Sequence, residues 1–259
     1  MGESIKLKPI ADVHLKSRNC DKAAFKRYIA DNDENTRFIG VGDLLDCIIT
    51  SDTKRYTKAN DAAETDEIID ESIAEAEEIL YPIRHKILGL GLGNHEQNIV
   101  KRCNTNPIKV ICKDLNVPYL GYSFLLRLIF RGYGTSEDKP VRSHSVIVRG
   151  HHGYGGGSRT QGADLTKFAK DMQYFDADIF LYGHVHKIQH DKVPRLALRG
   201  DRLISKPKFL VICGTFLKTY SDSTDATYSE IEGYPPTSIG SPTIIIKPNT
   251  NWVDIKIDS

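Results

Sequence analysis

The chain has no apolar run near the ~20 residues that a bilayer span demands. Its first ten residues, MGESIKLKPI, hold no apolar stretch of the kind that opens a secreted protein. Neither sign of charge is in excess: 35 Lys and Arg against 34 Asp and Glu leave a formal net charge of +1. That balance argues against a broad basic footprint for nucleic acid, a local patch apart. Five cysteines (Cys20, Cys47, Cys103, Cys112, Cys213) are scattered, odd in number and without a Cys-x-x-Cys pair. Such spacing excludes a disulfide framework and fits small buried thiols in a reducing cytoplasm. No repeat, low-complexity tract or compositional break divides the sequence, so residues 1–259 are expected to form a single domain.

What is present is histidine in informative places. Six of the nine histidines fall in short segments, and each segment sits where a strand is predicted to end. These segments are Asp12-Val13-His14, Gly42-Asp43-Leu44-Leu45-Asp46, Gly93-Asn94-His95-Glu96, Gly150-His151-His152-Gly153 and Gly183-His184-Val185-His186. Asp, Asn and His at the carboxyl ends of strands are the residue types that a two-metal hydrolytic site requires.

Hydrophobic spacing supplies the frame around them. Ile5 to Ile10 and Phe38 to Val41 read as strands feeding the first two segments. Asn60 to His85 reads as a long acidic amphipathic helix with Ile69, Ile73, Ala76 and Leu80 on one stripe and Pro82 near its end. Ile87 to Leu92 is a strand leading to Asn94, and Asn106-Pro107 opens a helix through Leu115. Tyr122 to Phe130, almost wholly apolar, is expected to be a strand buried on both faces. Ser145 to Val148 and Asp178 to Leu181 are strands delivering the last two segments, separated by a helix through Leu165, Phe168, Ala169 and Met172. Leu203 to Phe216 and Thr243 to Trp252 read as antiparallel strands. The order implies an α/β sandwich with mixed sheets in the middle and helices outside.

The ordered set DxH, GDxxD, GNHE, H and GHxH, spanning residues 12 to 186, resembles the calcineurin-like metallophosphoesterases, in particular phage and bacterial members. The resemblance implies a four-layer α/β sandwich with two facing mixed β-sheets flanked by helices. It also implies two divalent metal ions, with Mn favoured and Fe, Zn or Co as alternatives for mixed nitrogen and oxygen donors. By the same resemblance Asp43 bridges the ions. Asp12, His14 and His186 complete the first shell, and Asn94, His184 and either His151 or His152 complete the second. The residue leaving the strand is His151, whereas the following HGYGGGSRTQGA favours His152, so both stay open.

His95 is the implied general acid, with Asp46 behind it, because a carboxylate behind an imidazole fixes its tautomer and favours the protonated ring. The implied reaction is in-line attack of a metal-bridging hydroxide on a phosphate ester, a phosphodiester above all. Arg159, beyond the glycines at 155–157, is a candidate grip on substrate phosphate, with a solvated loop as its plainer reading. Lys101, Arg102, Tyr220, Tyr228 and Tyr234 are weaker cleft candidates. The absence of GDxVDRG argues against a serine/threonine phosphatase. Two alternatives remain: a DNA exonuclease or endonuclease of the double-strand-break-repair type, and a non-catalytic metal-binding interaction module.

Overall fold

The computed structural model describes residues 3–52, 67–131, 143–220, 227–249 and 252–259. Alternation along β1 (Ile5–Ala11) sends Leu7 and Ala11 into the core between two sheets and Ile10 into the core beneath the helices. Lys8 shares the Ile10 face and is 2% exposed. Its ammonium donates to the carbonyls of Tyr28 and Asp31 at 2.8 and 2.7 Å. Those carbonyls close α1 (Lys22–Ala30), which Asp21 caps by accepting from the Ala24 amide. A buried lysine therefore serves as the helix stop.

The chain continues through β2 (Thr36–Gly42), α2 (Ile68–Leu80), β3 (Leu90–Gly91), α3 (Asn94–Cys103) and α4 (Pro107–Asp114). Then come β4 (Tyr119–Gly121), β5 (Ser123–Arg131), β6 (Ser143–His151), α5 (Ala163–Ala169), β7 (Ile179–Tyr182) and β8 (Ile188–Val193). The last elements are β9 (Leu196–Arg199), β10 (Arg202–Ser205), β11 (Lys208–Cys213), α6 (Tyr228–Ile231), β12 (Thr243–Pro248) and β13 (Val253–Asp258).

Two mixed sheets dominate, in the orders β13-β12-β1-β2 and β5-β6-β7-β11-β8. β1 runs parallel to β2 and antiparallel to β12, while β7 runs parallel to both β6 and β11. Leu7, Ile39, Val41, Val148, Leu181 and Val211 fill the space between the sheets. Phe25, Phe38, Leu80 and Ile111 pack helices on the first sheet. Phe168, Phe180, Tyr182 and Leu210 pack α5 on the second. Three apolar interlayers make the expected four-layer sandwich, with two facing mixed sheets flanked by helices.

Several expectations change in detail. Among the described residues β5 pairs with β6 alone and is the outermost strand of its sheet, and its side chains alternate between exposed and half-buried, so it is not buried on both faces. Phe124, Leu126, Leu128 and Phe130 turn inward, whereas Leu125 and Ile129 are 59% and 57% exposed. The predicted strand at 87–92 shrinks to Leu90–Gly91. The acidic helix ends at Leu80, where Pro82 enters a 3-10 turn, Tyr81–Lys86, and residues 60–66 of the prediction lie outside the described residues. The predicted strand at 203–216 divides, β10 turning back on β9 as a hairpin and β11 running beside β7. The five cysteines are free, and Cys103, at the end of α3, is exposed rather than buried. Among the described residues no helix is long and apolar enough to cross a membrane.

Candidate metal and active centre

The five segments converge because β1, β2, β3, β6 and β7 release their chains at the same edge of the sandwich. Asp12, His14, Asp43, His184 and His186 all adopt left-handed backbone, with φ of 49°, 53°, 52°, 74° and 56°. Non-glycine residues in that region carry strain of order 1–2 kcal/mol each and collect at functional sites. Tight approaches need glycine here. A Cβ on Gly93 would stand 2.0 Å from Asp43 Oδ1, and one on Gly42 (φ +108°) would meet Gly93 Cα and His152 Nδ1 at 2.7 Å.

Donor atoms gather in two groups. In the first, His14 Nε2 lies 3.2 Å from His186 Nε2, and His186 Nε2 lies 3.5 Å from Asp12 Oδ1. In the second, Asn94 Oδ1 lies 2.8 Å from His152 Nε2 and 2.7 Å from His184 Nδ1. Asp43 Oδ2 stands between them, 3.9 Å from His14 Nε2 and 3.3 Å from His152 Nε2. Donors bound to one ion at ~2.0–2.2 Å sit about 3–3.5 Å from one another, and the distances here, from 2.7 to 3.9 Å, bracket that spacing. His14 Nδ1 faces Asp46 Oδ1 at 3.2 Å, and His152 Nδ1 faces the Val41 carbonyl at 3.1 Å. Because these oxygens accept, each Nδ1 donates outward and each Nε2 is the ring atom left facing the cluster. At His152 that Nε2 lies 2.8 Å from the Asn94 amide oxygen, where a cation would take the place of the ring's second proton. The residues fit a pair of divalent ions.

Electrostatics agree. Burial opposes ionisation of Asp43, yet His152, His95 and His14 hold its carboxyl well below the usual range. Burial also opposes charge on His152, but Asp43 and its neighbours outweigh it and push His152 up to about 9. Burial and then His152 lower His184. Carboxylates thus draw positive charge into a site where Asp12 and His152 are fully buried, while His95, His184 and His186 are partly open, His95 and His186 at 14% and 23% side-chain exposure.

Most expected site residues meet here. His151 does not: its Nδ1 accepts the Gly153 amide at 2.9 Å, and its ring lies against Tyr122 and Tyr154. Side chains alternate along β6, so Val146, Val148 and His152 look between the sheets, while Ile147 faces α5. His151 falls on the α5 side beside Tyr182. Asp46 also departs from expectation. Its backbone carbonyl, not its carboxylate, holds His95 Nδ1, at 2.5 Å, and the carboxylate is nearer His14 (3.2 Å) than His95 (3.6 Å). Arg159 is exposed and donates to the Glu232 carbonyl at 2.8 Å, and Gly156, Gly157 and Ser158 line the cleft in its place. Arg102 reaches Asn98 and the Ser51 carbonyl outside the cleft. Tyr234 lines the cleft; Tyr220 is 46% exposed and donates to the Tyr234 carbonyl.

Glu96 is a residue the motif contained but whose task composition did not disclose. Fully buried, its carboxylate accepts the amides of Asp43, Leu45 and Gly93 at 3.2, 2.9 and 2.9 Å. Burial, reinforced by Asp43, pushes it up to about 7. Glu three residues after the N-cap of α3 supplies one half of a capping box, its carboxylate accepting the Gly93 amide, and that spacing points to this role. Asp12 couples the first segment to the last, both its oxygens accepting the His184 amide at 3.0 and 2.8 Å.

No family model matches the chain, and no curated protein matches it by sequence. Similar solved structures include a metallophosphoesterase from Sphaerobacter thermophilus, at 11% identity and TM-score 0.41 over 99% of this chain and 89% of that one. A predicted phosphoesterase from Streptococcus pneumoniae shares 13% identity at TM-score 0.32, over 99% of this chain and 90% of that one. The NAD nucleotidase of Haemophilus influenzae shares 9% identity at TM-score 0.44, over 99% of this chain and 49% of that larger protein. These likenesses are distant, and the functional reading rests on the residues of the site.

Proposed function

We propose that the chain is a single-domain, dinuclear-metal phosphoesterase that hydrolyses phosphate esters, phosphodiesters in particular. The observation that carries this reading is the placement of Asp43, whose Oδ2 stands within 4 Å of a donor imidazole in each group. Asp12, His14 and His186 would hold one ion, Asn94, His152 and His184 the other, and Asp43 both. Nitrogen and oxygen donors without thiolate suit Mn²⁺, with Fe, Zn or Co as alternatives. Two bound ions would supply Lewis acidity toward the phosphoryl oxygens and lower the pKa of water at the site.

The chain's own residues do the rest. His95, fixed through Nδ1 by the Asp46 carbonyl, turns Nε2 toward the cluster 3.9 Å from Asp43 Oδ2. From there it protonates the departing ester oxygen. Asp46 steadies His14, Glu96 steadies the Asp43 turn, and Asp12 steadies His184. Five free cysteines support a reducing compartment such as the cytoplasm. The test is hydrolysis of bis-p-nitrophenyl phosphate and p-nitrophenyl phosphate by metal-stripped protein with and without Mn²⁺. Mn-dependent turnover that is lost in Asp43→Ala supports the reading; no turnover and no metal uptake would overturn it.

A further inference from the structure

The cleft continues past the histidines. Its volume is about 370 Å3, a size typical of small-molecule sites and larger than a lone phosphoryl group occupies. The far wall comes from residues 217–219 and 227–237, outside every motif. Thr219 Oγ1 accepts the Thr237 amide at 3.0 Å and pairs with Thr237 Oγ1 at 3.1 Å. Thr227 Oγ1 donates to the Thr219 carbonyl at 2.5 Å and accepts the Glu230 amide at 3.1 Å. Arg159 on the Glu232 carbonyl and the Tyr220 hydroxyl on the Tyr234 carbonyl brace the wall from outside.

This bracing has a chemical consequence. The Thr219, Thr227 and Thr237 hydroxyls, engaged with one another and with the backbone, offer few hydrogen bonds to a ligand, so beside Lys218 and Ser229 the wall presents hydrocarbon and one aromatic ring: Leu217, Tyr234 and Pro235. Lys187 at the cleft edge is engaged in the same way, its ammonium held by the Ser158 carbonyl and by Asp164. Lys218 in the same wall lies 3.7 Å from the Asp21 carboxylate. A phosphopeptide or a duplex would call for more charged partners than this one lysine supplies.

We propose that Leu217, Tyr234 and Pro235 form the subsite for a flat apolar ring carried by the substrate, so that the substrate class is a small ring-bearing phosphate ester. The proposal rests on the phosphoesterase reading, and its test separates the two. Phenylphosphonate and methylphosphonate present the same anion to the metal centre and differ in the ring alone. Competition of each against bis-p-nitrophenyl phosphate in the full-length Mn-loaded protein should show phenylphosphonate binding about tenfold tighter. Tyr234→Ala should abolish that preference and Tyr234→Phe should keep it, the latter also reporting that this position tolerates substitution. Equal inhibition by the two phosphonates, or a preference that survives in Tyr234→Ala, overturns the ring subsite while leaving the phosphoesterase reading in place. Failure of both phosphonates to compete in a protein that does turn over the diester likewise overturns the subsite. Absence of turnover and of phosphonate binding overturns both.

Discussion

One carboxylate oxygen of Asp43 accepts the backbone N–H of His95 at 2.9 Å, and the other stands 3.3 Å from His152 Nε2 and 3.9 Å from His14 Nε2. A single side chain therefore ties the start of α3 to both donor groups. Replacing it by Ala removes the shared donor and the anchor of the acid-bearing segment together. Asp43→Ala should lose metal at both positions, with at least ~100-fold weaker binding by calorimetry and elemental analysis. Two tightly held ions in that variant would sink the bridging assignment.

His95 is separable from metal binding, because its Nδ1 is bound to the Asp46 carbonyl and its ring lies at the open side of the cluster. His95→Asn should retain both ions. Turnover should fall by roughly 10²–10⁴ on alkyl esters, whose leaving oxygen needs a proton, and by much less on p-nitrophenyl esters. The same loss on both classes of ester would count against the acid role.

The motif order and the layer sequence were legible because they depend on local patterns: apolar runs that end in Asp, Asn or His, and a helix opening such as Asn106-Pro107. What escaped depends on which neighbour a surface meets. The strand at 123–131 is as apolar as an internal one, and its place at the sheet edge follows from pairing rather than from composition. Lys8 looks misplaced in a buried strand until the carbonyls of α1 are brought over it. Asp46 acts on His95 through its main chain, which no side-chain pattern can report.

The paired histidines show the same limit in a testable form. Apolar residues occur on both faces of β6, Val146 and Val148 on one and Ile147 on the other, so the sequence leaves open which face looks into the site. His152 falls there, and His151 packs among Tyr122, Tyr154 and Tyr182. His152→Ala should therefore abolish binding of one ion, whereas His151→Ala should keep both and change stability alone. Loss of metal in His151→Ala would reverse the assignment.

Glu96 makes a prediction about stability and metal together. Its carboxylate accepts three buried amides on the turns that carry Asp43 and Gly93. In Glu96→Gln one oxygen becomes an amide nitrogen, which leaves at least one buried N–H without an acceptor, at a cost of about 1–3 kcal/mol. Chemical denaturation should register that loss, and metal affinity should weaken because the Asp43 turn is less firmly held. A variant with wild-type stability and wild-type metal affinity would show that the carboxylate is dispensable.

Asp164 carries a pH-dependent contribution. It is 1% exposed, accepts the Ser158 amide at 3.1 Å, and pairs with Lys187 at 2.8 Å and Lys167 at 3.1 Å. Burial opposes its charge, but the Lys187 hydrogen bond and its companions prevail and lower its pKa. A carboxyl whose folded pKa lies below its unfolded value stabilises the fold above the unfolded pKa, about 3.9, and loses that contribution as pH falls through the folded value. Asp164→Asn mimics the protonated state and leaves two lysines without their anion. Its melting temperature should therefore lie below that of the wild type by a constant margin between pH 5 and 7. The margin should close as pH drops below 4, when the wild-type carboxyl takes up its own proton. Metal-stripped protein keeps ion loss out of the comparison. A gap equally wide at pH 3 and pH 7 would show that Asp164 holds the 155–158 loop by shape and not by charge.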